Sequence, residues 1–327
     1  MSARPPLDLS RLAVSTIPLQ AILFLSAAVG VVLGIALIIT VSFATALAVP
    51  LGFVAMIGTV LTASVAATQL TIIGAAAVFL IPLGALVSAH WKLRHAELFI
   101  LDDLAAERAD PNSKIGQYIA VMSKAAGLDE VPRYGIIENV FNALAMSGGR
   151  GVGLVMLGQP LVDALHVGDT LAILGHEIGH VAMLDSKRKF LAEGHQQFLV
   201  RFLRIVGLHR LGRALFGFIG EVALAAHSRE REFWADAVGA HITSPAAMIS
   251  ALRAIERSQA KPTEFEKSYA TLMFRPVPRL FATHPPFAKR IEALERRTYL
   301  DRLPLKAIAA EPQPEAVLSG QQSYAGI

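Results

Sequence analysis

His176 and His180 stand four residues apart, with Glu177 between them, inside the otherwise apolar run LAILGHEIGHVAMLD at 171–185. Positions four apart share one face of an α-helix, so the two imidazoles can address a single ion. Glu177 lies beside that face, close enough to reach a water held there. Zinc chemistry needs this division: neutral imidazoles bind the ion, the ion acidifies a water, and a carboxylate takes the proton. H-E-x-x-H is the sequence signature of that hydrolysis. The chain has no cysteine, which excludes disulfides, thiolate ligands and cysteine nucleophiles. Any metal must then be held by His, Asp or Glu.

A catalytic zinc site takes three protein ligands and keeps one position open. The H-x-x-G-x-x-H continuation of metzincins is absent, because Met183 stands where Gly is required and Ser186 where His is required. Another helix must supply the third ligand. The segment SREREFWADAVGA at 228–240 offers Glu232 and, one turn later, Asp236. That spacing lets Glu232 bind zinc while Asp236 accepts a hydrogen bond from a ligand imidazole and orients it. The competing reading is a solvated helix face on which these acids pair with Arg229 or Arg231.

Several elements are expected to position these groups. Asp169 is the expected N-cap of the H-E-x-x-H helix, and Asp185 lies near its end. Residues 115–126 read as an amphipathic helix ended by Gly127 and followed by Pro132. Apolar runs at 134–137 and 153–157 read as strands around the glycine-rich loop NVFNALAMSGGRG. Ser244 and Pro245 start another helix, with Met248, Leu252 and Ile255 on one face, and Pro285 and Pro286 open a last one running to about residue 297. Residues 197–226 are helical and apolar but interrupted by Arg201, Arg204, Arg210, Arg213 and Glu221. They fit either a basic amphipathic pair on a membrane surface or a soluble helical hairpin.

The composition sets the larger frame. With 54% hydrophobic residues and a mean hydropathy of +0.50, the 327-residue chain is too apolar for an ordinary soluble protein. Residues 12–89 hold no Asp, Glu, Lys, Arg or His, and a helix needs only about 20 apolar residues to cross a bilayer. Pro50 with Gly52, and more weakly Thr68, Gln69 and Thr71, divide this run into two or three spans. Length favours three. The flanking Arg4, Arg11, Lys92 and Arg94 favour two, with both ends in the cytoplasm. The expected layout is an N-terminal tail (1–16), a transmembrane anchor (17–90), a globular domain (91–302) and a disordered tail (303–327). A formal net charge of +4 without a basic block excludes a nucleic-acid role.

The motifs FNALA, HEIGHVAMLD, SREREFWAD and THPPFAKRIEAL, in this order, make residues 117–300 resemble the membrane zinc metalloproteases of the HtpX type, relatives of the CAAX prenyl protease and of periplasmic chaperone-proteases. The resemblance implies a mainly α fold with a small β-sheet, in which N-terminal transmembrane helices precede a gluzincin-type zinc metalloprotease domain holding one Zn2+ per chain. It implies that His176, His180 and Glu232 are the zinc ligands, Glu177 the general base and Asp236 the acid that orients a ligand. Asn142 matches an asparagine beside the substrate cleft, and His284 a histidine that helps polarise the substrate carbonyl. Chains of this type usually carry two further apolar spans where this one has the arginine-studded 197–226.

The expected function is a membrane-anchored zinc endopeptidase of protein or peptide substrates, multi-pass in a bacterial plasma (inner) membrane. Its catalytic domain is cytoplasmic and its work is clearance of misfolded proteins. A strand near 153–157 is expected to pair with an extended substrate through main-chain bonds. An intramembrane protease is disfavoured, because the apolar run bounded by Asp169 and Asp185 is too short to span. The alternative from a different class is a catalytically silent membrane scaffold or holdase, for which Glu177 would be superfluous. The sequence carries no indication of oligomeric state.

Overall fold

The computed structural model describes residues 5–9, 110–147, 153–205, 220–258, 261–268 and 284–306, with isolated positions elsewhere and a short helical stretch at 83–91. The first helix of the domain, α1 (Lys114–Ala125), is capped by Ser113, whose hydroxyl accepts a hydrogen bond from Gly116 N. It buries Ile119 and Met122 and ends before Gly127, whose φ of +78° only glycine adopts freely.

Three strands follow: β1 (Arg133–Ile137), β2 (Ala143–Met146) and β3 (Leu154–Gly158), in the order β1-β3-β2. β1 runs parallel to β3 with Arg133 opposite Leu154, and β2 runs antiparallel with Ala143 opposite Leu157. Two expectations change here. The stretch ALAM, expected in a loop, is a strand; its alanines carry little β propensity, and pairing with β3 and burial against helices make it one. β3, expected to pair with a substrate, has neighbours on both sides and no open edge. Among the described residues β2 has no strand on its other side; its residues are buried, and Ala145 O accepts from Ser186 Oγ at 3.4 Å.

After the short α2 (Gln159–Ala164), the H-E-x-x-H residues lie on α3 (Val167–Ala182). This helix is buried nearly all round, with Leu174 and Ile178 in one apolar cluster and Ala172 and Ile173 in another. Its N-cap is His166, without a side-chain bond, and Asp169 sits in the first turn instead, where a carboxylate suits the helix dipole. The remaining helices are α4 (Asp185–Ile205), α5 (Gly220–Ile242), α6 (Pro245–Arg257), α7 (Glu264–Ser268) and α8 (Phe287–Glu295), with a 3-10 turn at Leu300–Arg302. The Ser244 hydroxyl caps α6 by accepting from Ala247 N. α3 packs chiefly on α5, and α6 and α8 complete that side.

Residues expected in the two tails are built into this domain. Leu7 N donates to Ala125 O, Asp8 N to Pro304 O and Lys306 N to Pro6 O, at 2.8–2.9 Å. Leu7 and Leu305 form an antiparallel bridge, and the Leu7 side chain, 1% exposed, joins Ile119, Met122 and Trp234 in the core. Among the described residues no helix is long and apolar enough to cross a membrane. Most of 12–89, where the anchor is expected, lies outside the described residues, as does most of 206–219.

Candidate metal centre

The two helices that carry the expected ligands touch through glycine. A Cβ on Gly239 of α5 would lie 3.0 Å from Ala172 O and 3.1 Å from His176 N of α3, and one on Gly179 would lie 3.2 Å from Val238. Backbones this close bring residues 232 and 236 against residues 176 and 180. Glycine inside a helix costs about 1 kcal/mol relative to alanine, and at Gly239 the cost secures this approach.

The result is a buried cluster. His176 and His180 point their Nε2 atoms at one another, 3.0 Å apart. Glu232 closes the group, with Oε1 3.4 Å from His180 Nε2 and Oε2 3.8 Å from His176 Nε2. His176, His180 and Glu232 form a set of possible metal ligands whose atoms all lie within 4.8 Å of one another.

Each imidazole is held from behind by an aspartate, and each aspartate by an arginine. His176 donates from Nδ1 to Asp236 Oδ1 at 2.9 Å. Arg290 in turn donates from Nε and Nη2 to Asp236 at 2.8 and 2.6 Å, and its Nη1 lies 3.2 Å from Glu232 Oε2. His180 donates from Nδ1 to Asp185 Oδ2 at 2.6 Å. Arg231 pairs with Asp185 and also donates to Met183 O. With both Nδ1 atoms turned to aspartates, both Nε2 atoms face inward, the orientation a metal requires.

The electrostatics follow from burial and these partners. Burial, outweighing the hydrogen bond to Asp236, pushes His176 down to about 4, so it is neutral near pH 7. Burial also opposes a proton on His180, but Asp185 and Glu232 outweigh it and raise that imidazole to about 10. The same carboxylates favour a metal cation in that place. Burial would raise Glu232 as well; His284 and Arg290 overcome it and hold the carboxyl well below the usual range. Burial drives Glu177 up to about 8.

Glu177 also supplies a test of fit. It is 1% exposed and neither carboxylate oxygen has a hydrogen-bond partner. A buried carboxylate left this way costs stability that folding alone does not recover, and such groups mark functional sites. Two nitrogens bound to one zinc at about 2.0–2.1 Å each lie a little over about 3 Å apart, close to the spacing of the two Nε2 atoms. Two imidazoles and a carboxylate are donors that suit zinc.

Of the residues singled out by sequence, His176, His180, Glu232, Asp236 and His284 are joined by direct contacts here. His284 is buried with Nδ1 3.0 Å from Glu232 Oε2, without hydrogen-bond geometry. Asn142 is buried just before β2, where Nδ2 donates to Glu266 Oε1 and Oδ1 accepts from Ala143 N. Asp236 accepts from His176 Nδ1, whereas Arg231 turns to Asp185. Sequence reasoning missed the roles of Asp185, Arg231, Glu266 and Arg290. Arg290 did leave a signal, because it shares the apolar face of Phe287 and Leu294, where a charge needs a buried partner.

Comparison with known proteins accords with this geometry. Residues 109–298 match peptidase family M48. The chain is 30% identical over 208 residues to the protease HtpX of Pseudomonas fluorescens (strain SBW25), covering 55% of this chain and 70% of that protein. It is 30% identical over 210 residues to the protease HtpX of Psychrobacter sp. (strain PRwf-1), covering 55% and 69%. The protease HtpX homolog of Bacillus licheniformis is 30% identical over 198 residues, covering 54% and 67%. The family match spans more than half of the chain and contains all the clustered ligands; the chain belongs to peptidase family M48 and is an HtpX-like zinc metalloendopeptidase.

Proposed function

We propose that the chain is a membrane-anchored endopeptidase in which His176, His180 and Glu232 hold one zinc ion and Glu177 is the general base. The observation that carries this reading is the Glu177 carboxylate, buried without a partner beside three converging ligands. Zinc, when bound, supplies a Lewis acid that acidifies a water and polarises a carbonyl. Glu177, buried beside the three ligands with no hydrogen bond to either carboxylate oxygen, is placed to meet a water at the metal. It takes a proton from the attacking water and delivers it to the leaving amine. Asp236 and Asp185 keep the imidazoles turned inward, and His284, on the Glu232 side, faces the developing charge on the substrate carbonyl.

The substrate lies along β2. Gly158 N donates to Asn142 O, so residue 142 turns its main chain toward β3 and Ala143 and Ala145 turn theirs outward. The Ala143 carbonyl and Ala145 amide are the groups that receive an extended peptide, with Asn142 at the end of that edge. Main-chain pairing tolerates many sequences, which suits clearance of misfolded proteins.

The docking of residues 5–9 on the domain supports an even number of spans, because chain on either side of 12–89 meets on one face of the membrane. Two spans fit, with basic flanks and catalytic domain cytoplasmic in a bacterial plasma membrane. Exposed Val32, Ile35, Ile39, Phe43, Leu83, Val87 and Trp91 support contact with lipid. The test is metal removal: chelation of detergent-purified protein is expected to abolish casein hydrolysis and stoichiometric zinc to restore it. Hydrolysis that survives complete removal of metal contradicts the reading.

A further inference from the structure

Glu266 is fully buried on α7, a five-residue helix whose sequence suggests nothing beyond a surface turn. One carboxylate oxygen does local work. Oε2 accepts from Thr263 N at 2.8 Å while Glu266 N donates to Thr263 Oγ1 at 3.2 Å, the reciprocal pair of a capping box. A capping box is satisfied at a protein surface and does not call for burial. The other oxygen reaches across the fold, where Oε1 accepts from Asn142 Nδ2 at 2.8 Å, 124 residues away in sequence.

Asn142 passes this constraint to the strand edge. Its Oδ1 accepts from Ala143 N at 2.9 Å, and its own carbonyl accepts from Gly158 N at 2.8 Å. Ala143 N is the first outward-facing donor of β2, so the Asn142 side chain ends the edge on which a peptide would pair. A side chain with its amide nitrogen tied to a buried carboxylate and its oxygen tied to the strand has one orientation. Without Glu266 the Asn142 amide loses one acceptor, and its hold on Ala143 N at the end of β2 loosens.

We propose that Glu266 is a positioning residue for peptide hydrolysis: through Asn142 it fixes where the outer edge of β2 ends, and so the register in which a substrate lies across the metal centre. This rests on the reading of β2 as the substrate edge. Glu266 acts through Asn142.

The test compares Glu266→Ala, Glu266→Gln, Thr263→Ala and Asn142→Ala in the full-length, zinc-loaded protein in detergent. The readouts are kcat and KM on one peptide, the cleavage positions in casein by mass spectrometry, zinc content and thermal midpoint. Loss of one hydrogen bond corresponds to about a fivefold effect, so Glu266→Ala is expected to raise KM about fivefold and to add cleavage positions, with kcat little changed. Glu266→Gln, which keeps an acceptor for Asn142, is expected to restore most of the loss. Thr263→Ala, which weakens only the capping box, is expected to cleave as the wild type does, and adding Glu266→Ala to Asn142→Ala should change nothing further. If Asn142→Ala alters KM and cleavage positions while Glu266→Ala does not, or if Thr263→Ala reproduces the Glu266→Ala effect, the proposal is overturned and the substrate edge stands. If Asn142→Ala leaves both unchanged, the assignment of β2 as the substrate edge itself falls.

Discussion

Asp185 accepts a 2.6 Å hydrogen bond from His180 Nδ1 although α3, which carries His180, has already ended at Ala182. The chain reverses at Leu184, whose φ of +56° lies in the left-handed region, and this turn returns the aspartate to the imidazole one turn back. Asp185→Asn retains an acceptor but removes the charge that Arg231 also pairs with. Zinc affinity is expected to fall about 10- to 100-fold with the fold intact, read by competition with a chromophoric chelator. Unchanged affinity would show that Asp185 does not support His180.

Leu184 itself is strained. A left-handed conformation costs an L-residue about 1–2 kcal/mol that glycine does not incur, while Leu184, 39% exposed, still buries more than half of its surface. The two effects nearly cancel, so Leu184→Gly is expected to leave the thermal midpoint within about 2 °C of the wild type. A midpoint lowered beyond that would mean that the Leu184 side chain contributes more than its backbone costs.

Gly239→Ala puts a Cβ 3.0 Å from one backbone atom of α3 and 3.1 Å from another, and neither can turn aside. The expected loss is about 1–3 kcal/mol, with weakened zinc binding because His176 moves with its backbone. Gly168→Ala, in the first turn of α3 with nothing within 4 Å, is the control and is expected to be neutral or stabilising. Equal effects from the two variants would refute the role given to the helix contact.

Arg290→Met leaves Asp236 and Glu232 without the guanidinium that faces both. Removing one partner from a buried ionic network costs about 3–5 kcal/mol, so the metal-free variant is expected to unfold at a distinctly lower temperature, with zinc recovering part of the difference. A wild-type midpoint would place the balancing charge elsewhere.

The chemistry of the centre was legible because helix periodicity is strict. His176 with His180, and Glu232 with Asp236, are each one turn apart, so spacing alone puts each pair on one face. The long helices and their Gly127 and Ser244 boundaries followed from the same periodicity and from cap residues. What spacing could not carry was contact across the fold. Glu266 meets Asn142 over 124 residues, and Asp185 reaches His180 only through a left-handed leucine that no propensity indicates. β2 was hidden for a related reason, since ALAM has the composition of a helix and becomes a strand only by pairing with β3. Leu7 and Leu305 lie in segments with tail-like composition and join the domain by pairing with each other.

The most direct measurement is zinc content and casein hydrolysis of Glu177→Gln beside the wild type, both purified in detergent. Glu177 is assigned to proton transfer and not to metal binding, so the variant is expected to hold one zinc per chain while its rate falls about 10²- to 10⁴-fold. Hydrolysis at the wild-type rate in a zinc-loaded Glu177→Gln protein, or a folded wild type that binds no zinc, would contradict the assignment.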